Sequence, residues 1–163
     1  MVNIRSVLTE LDNQKKDAAA EFTRLFNDPD TYSGWRFYAM VGMRSLADRG
    51  RLNEEQAHTL LEMTATLVRE GMSIEEYYKT ILSLADAKET APVLAEFAQQ
   101  KLEKKEPLQW RWLAFLAVKA LLQTRKAAIP PALVKNLHDE AANEPDIWFK
   151  SRYQETVVLA EGL

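Results

Sequence analysis

Apolar positions along this chain recur with a period near 3.6, and no alternating stretch runs longer than four residues. Val7, Leu8, Leu11, Ala18, Phe22, Leu25 and Phe26 fall near one face of a helix, with the polar run "NQKKD" midway. The segment "NDPDTYSG" then breaks the pattern at Pro29 and Gly34, and Ser33 is placed to cap the next helix. Two later starts read as capping boxes, "NEEQ" at Asn53 and "SIEE" at Ser73: an oxygen-bearing cap with Gln or Glu three residues on. Pro92, Pro107, Pro130 and Pro145 each sit in or just before the first turn of an apolar-periodic segment, where a missing N–H costs nothing. Together these signals predict eight helices, over 3–26, 33–48, 53–70, 73–87, 91–104, 107–123, 130–142 and 146–161.

A second, longer period lies over the first. "WRFYAMVGMRSL" from Trp35 and "WRWLAFLAVKAL" from Trp110 both open with Trp, Arg and an aromatic. Ala39 matches Ala114, Met43 matches Val118 and Leu46 matches Leu121. Between them, "SIEEYYKTILSLADA" puts Tyr77, Ile81 and Leu84 at the corresponding places, and "EPDIWF" at Glu144 echoes "EPLQWR" at Glu106. Helix-pair units therefore begin near 35, 73, 110 and 148, about 37 residues apart, a period characteristic of helical solenoids.

The period and the two-helix unit resemble HEAT-like or armadillo-like repeats over residues 33–163. The tetratricopeptide pattern is not met, because Leu-Gly follows neither Trp35 nor Trp110. The resemblance implies an all-α, right-handed helical-repeat solenoid in a single domain over 1–163. Residues 1–32 would then supply a capping helix and loop. An irregular bundle of the same helices is the alternative.

Composition narrows the function classes. The balance of 47% hydrophobic and 28% charged residues belongs to a folded chain, and five glycines are too few for a turn-rich β fold. Cysteine is absent, which removes disulfides, thiolate zinc sites and thiol nucleophiles. The longest apolar run, Trp112 to Val118, stops far short of the roughly 20 residues a membrane span needs. No apolar signal-peptide segment is apparent near Met1, so the expected location is the cytoplasm. The net charge of −3, with basic and acidic residues interleaved, argues against nucleic acid and is compatible with a basic protein partner.

Few residues suggest chemistry. His58 and His138 are the only histidines and do not form an i, i+4 pair, so no metal site is expected. No glycine-rich phosphate loop is present, and the paired acids sit mostly at helix starts, where the helix dipole accounts for them. No cofactor and no catalytic residue is expected.

The side chains that do suggest recognition are Arg36, Arg111, Trp110, Trp112 and Tyr78, since Trp, Tyr and Arg dominate binding hot spots. Arg36 and Arg111 hold equivalent places, and with Arg152 could form a ladder reading acidic groups; the competing expectation pairs them internally with acids such as Glu75 or Glu76. Trp110 and Trp112 point about 200° apart on a helix, so only one can face the core. The expected function is a non-catalytic protein-binding module, of which a bacterial inhibitor or immunity protein is one form. A HEAT-like nucleic-acid-binding or base-repair protein and a small-molecule-binding helical protein are the alternatives.

Overall fold

The structure, a computed structural model, describes residues 3–104 and 106–162. Among these residues it contains no strand and nine helices: α1 (Ile4–Asn13), α2 (Ala18–Asn27), α3 (Ser33–Asp48), α4 (Glu54–Arg69), α5 (Ile74–Ala85), α6 (Ala91–Glu103), α7 (Leu108–Thr124), α8 (Pro131–Asn143) and α9 (Ile147–Glu161). The protein is all-α, as the 3.6 period requires. It divides into two compact units between Leu84 and Ala85, inside α5.

The helix predicted over 3–26 is two helices. Lys15 takes a left-handed conformation, with φ of 55°. Its N–H donates to the Asp12 carbonyl and that of Lys16 to the Leu11 carbonyl, both at 3.0 Å. This is the Schellman pattern that satisfies the last carbonyls of a helix. Asp17 then restarts the chain, its carboxylate accepting the Ala20 N–H at 3.2 Å. The same motif ends α3 at Gly50 and α4 at Gly71, both at positive φ.

Caps at the other helix starts follow the sequence unevenly. The Asn53–Gln56 box forms in both directions, at 2.8 and 2.9 Å. Ser33 does not cap α3; it is the first helical residue, and Tyr32 precedes it without a side-chain cap. At Ser73 the hydroxyl accepts the Glu75 N–H at 3.3 Å, while the Glu76 carboxylate turns to Arg44 and Lys79. The Arg44 and Lys79 cations outcompete the uncharged backbone N–H that would close the box.

In the first unit α2 packs on α3 and α4, α3 on α4, and α1 on both α2 and α3. The loops between α2 and α3 and between α4 and α5 are short enough for antiparallel helical hairpins. The α5 residues of this unit join α4 through Thr80, whose hydroxyl meets that of Thr64 at 3.1 Å, and through Tyr77, which donates to the Leu61 carbonyl at 3.4 Å. They join α3 through the Arg44–Glu76 ion pair at 2.9 Å. Leu8, Phe22, Met40, Met43, Leu60 and Ile81 fill the space between. Where α2 crosses α3, a Cβ on Gly42 would lie 2.5 Å from the Phe22 ring, so only glycine admits this approach.

The second unit contains the four helices α6 to α9. α6 pairs with α7 and α8 with α9, while α6 also lies against α8 and α7 against α9. Two hairpins thus stand side by side, each helix beside its counterpart. Leu94, Leu113, Val118, Leu121, Leu133 and Tyr153 form the core between them. Leu46, Leu84 and Leu121, which share one register in the sequence, are each buried within their own unit.

Candidate protein-binding surface

Arg36 lies in the first unit, half-buried near the start of α3. Its Nη1 donates to Glu70 Oε2 at 2.8 Å, and its guanidinium sits 4.7 Å over the Phe26 ring. It thereby fastens α3 to the end of α4 and to α2. Arg111 lies in the second unit. Its Nε donates to the Glu106 carbonyl at 2.7 Å, and its guanidinium pairs with Glu140 and, at 3.7 Å, with the buried carboxylate of Glu144.

Both arginines are therefore paired with acids, but not with Glu75 or Glu76. Glu76 belongs to Arg44 and Lys79. Burial pushes the Glu76 carboxyl up, but hydrogen bonds from those two cations outweigh it and hold the pKa below the ordinary glutamate value. Arg152 is exposed, reaches Glu155 at 3.3 Å and lies 5.4 Å over the Trp148 ring.

The two neighbouring tryptophans are both half-buried, with different covers. Trp110 lies beneath the Lys101 ammonium at 5.4 Å. Trp112 joins an aromatic cluster that locks α7 to α9. It stacks on Phe115 with centroids 4.2 Å apart and meets Trp148, Phe149 and Tyr153 at 5.4, 4.7 and 5.8 Å. Tyr153 is buried at the centre of this unit, and burial is the first cause holding its phenol above the ordinary tyrosine value; Arg111 opposes the shift and Glu144 adds to it. Tyr78 is half-buried on α5.

The most accessible aromatic group stands at the start of α3. Tyr32 is 73% exposed and Trp35 45% exposed, and Phe37 is also exposed. Tyr38 touches both of its neighbours, at 5.6 Å from Trp35 and 6.5 Å from Phe37. The Tyr32 ring lies close over Gly34, where an added Cβ would stand 2.9 Å from it. Asp28 and Asp30 precede this ledge, and Asp28 accepts the Asp30 N–H at 2.9 Å, which stiffens the acidic turn. A shallow cleft beside it is lined by Phe26, Asn27, Asp28, Pro29, Thr31, Ser33 and Arg36.

Sequence reasoning locates Trp35 and Arg36, but it takes Tyr32 only as part of a chain break and does not mark Phe37. The signal is there: four aromatics fall within seven residues of a turn, more than one helix face can bury. His58 borders a separate groove between α2 and α4, and His138 meets Glu161 on the surface. Among the described residues no cluster of three or more His, Asp or Glu could hold a metal ion, and no helix is long and apolar enough to cross a membrane. No protein-family model, no curated protein and no solved structure matches the chain.

Proposed function

We propose that this chain is a protein-binding module of HEAT-like helical hairpins that holds its partner on the aromatic ledge of α3. The observation that carries the reading is the exposure of Tyr32 and Trp35, joined by the Trp35 N–H to Tyr32 carbonyl hydrogen bond at 2.9 Å, on a helix start that Arg36 clamps to two neighbouring helices. Rigid aromatics lose little entropy on binding and supply most of the energy at protein interfaces. The acidic turn at Asp28 and Asp30 beside the ledge favours a partner that presents lysine or arginine next to an apolar anchor. An inhibitor or immunity protein acting in the cytoplasm is one form of such a module, since it needs only one tight complementary face.

Photo-cross-linking tests this. A benzophenone side chain replacing Tyr32 should trap one discrete protein species in the native lysate, and the same group at Lys135 should not. Trp35→Ala should abolish the adduct while leaving the melting temperature within a few degrees, and raised salt should weaken it. Equal labelling from both positions, or an adduct indifferent to Trp35, would defeat the reading.

A further inference from the structure

α9 buries Tyr153, Thr156, Val157 and Ala160 on one side. Its opposite side should be polar, yet Ile147 is 85% exposed, Val158 68% and Leu159 60%, with Trp148 also exposed. Four large exposed apolar side chains on one side of a single helix are more than scattered surface residues account for.

The order of its residues says what covers it. Along the outer face two apolar residues, Ile147 and Trp148, come first. Ser151, Arg152, Gln154 and Glu155 occupy the middle, and Val158 and Leu159 close it. The pattern reads the same from either end, with its midpoint at Tyr153. At about 100° per residue, Ile147 and Val158 lean to one flank of this face, and Trp148, Arg152, Glu155 and Leu159 to the other. A two-fold interface requires that if residue i meets residue j, then j meets i.

We propose that α9 is a self-association surface, on which a second copy of this chain packs its own α9 antiparallel about a two-fold axis near Tyr153. In that arrangement Ile147 meets Val158 of the second copy, Trp148 meets its Leu159, and Arg152 meets its Glu155. Each contact occurs twice. Arg152 and Glu155 already lie 3.3 Å apart within one chain, so both charges are at hand for a four-membered network across the axis. A parallel pairing would instead oppose Arg152 to Arg152 and Glu155 to Glu155. Ser151, small and central, lets the helices approach closely. The proposal is independent of the α3 reading, which concerns a different partner and different residues.

Sedimentation velocity of the purified chain across roughly 1 to 300 μM should show a monomer–dimer equilibrium, concentrations that bracket a micromolar Kd. Leu159→Arg should weaken dimerisation by at least about tenfold, a loss of about 1.4 kcal/mol. The deciding measurement uses two charge variants with unchanged far-UV circular dichroism. Glu155→Arg alone and Arg152→Glu alone should each be monomeric, because the interface then opposes like charges. Mixed together they should form a heterodimer, since each variant restores what the other lacks. A parent chain that stays monomeric throughout, a dimer indifferent to Leu159→Arg, or a mixture that does not recover would overturn the proposal.

Discussion

Lys15 carries a strain that its neighbours do not relieve. A left-handed residue with a Cβ costs roughly 1–2 kcal/mol relative to glycine, and Lys15 is exposed, with φ of 55°. Lys15→Gly should therefore raise stability by about 1 kcal/mol, read as a higher urea midpoint at an unchanged m-value. No gain would mean that the added freedom of glycine in the unfolded chain cancels the strain relieved, so that Lys15 costs the fold nothing net. The case also shows what a sequence hides. Gly50 and Gly71 announce their turns, because glycine is the residue that such turns favour. A lysine makes the same turn silently, and the apolar spacing on both sides of it stays in phase, so the pattern reads as one long helix. Arg111 illustrates the other side. Its importance is visible from its place between two tryptophans, but its partners lie on α8 and just beyond it, and no local rule connects them. Because Glu144 is buried, Arg111→Ala should cost about 3 kcal/mol by leaving a carboxylate uncompensated, the low end for buried pairs since the arginine itself is partly exposed. A calorimetric melting shift checks it. A variant that melts like its parent would free Arg111 for a recognition role.

Elements meet where their side chains allow it, and Gly42 sets one such distance. Three Phe22 ring atoms stand within 2.7 Å of the place its Cβ would take. Gly42→Ala should destabilise by about 1–3 kcal/mol through overpacking. Combining it with Phe22→Leu should cost less than the two changes summed, because the smaller side chain vacates that space. Simple additivity in denaturation experiments would show that α2 and α3 do not touch here. This contact is not legible in the sequence, because the spacing identifies the apolar face of each helix but not which positions of two faces oppose each other. The capping box at Asn53 is fully legible, since every atom of it lies within four residues. At Ser73 the same local rule half fails, and the reason is tertiary: Arg44 arrives from another helix and takes the carboxylate.

For the whole molecule, that contact ties stability to pH. Glu76 has a folded pKa below its ordinary value, so its contribution is fully present above the ordinary glutamate range and is lost as pH falls through the folded value. Asp12, whose carboxylate accepts hydrogen bonds from Arg51, shifts in the same direction. Stability should thus decline on acidification below the ordinary carboxylate range, and Glu76→Gln should flatten that decline while lowering stability at neutral pH. An unchanged acid limb in chemical denaturation across pH would show that Glu76 does not contribute.

The division between Leu84 and Ala85 also decides what optical probes can see. Of the four tryptophans, Trp35 alone belongs to the first unit, whereas Trp110, Trp112 and Trp148 belong to the second. Intrinsic fluorescence on denaturation is therefore weighted toward α7 and α9, while far-UV circular dichroism counts helices in both units alike. Coincident curves from the two signals would mean that the chain melts as one cooperative body. A fluorescence midpoint displaced from the dichroic one would mean that each half has its own melting equilibrium.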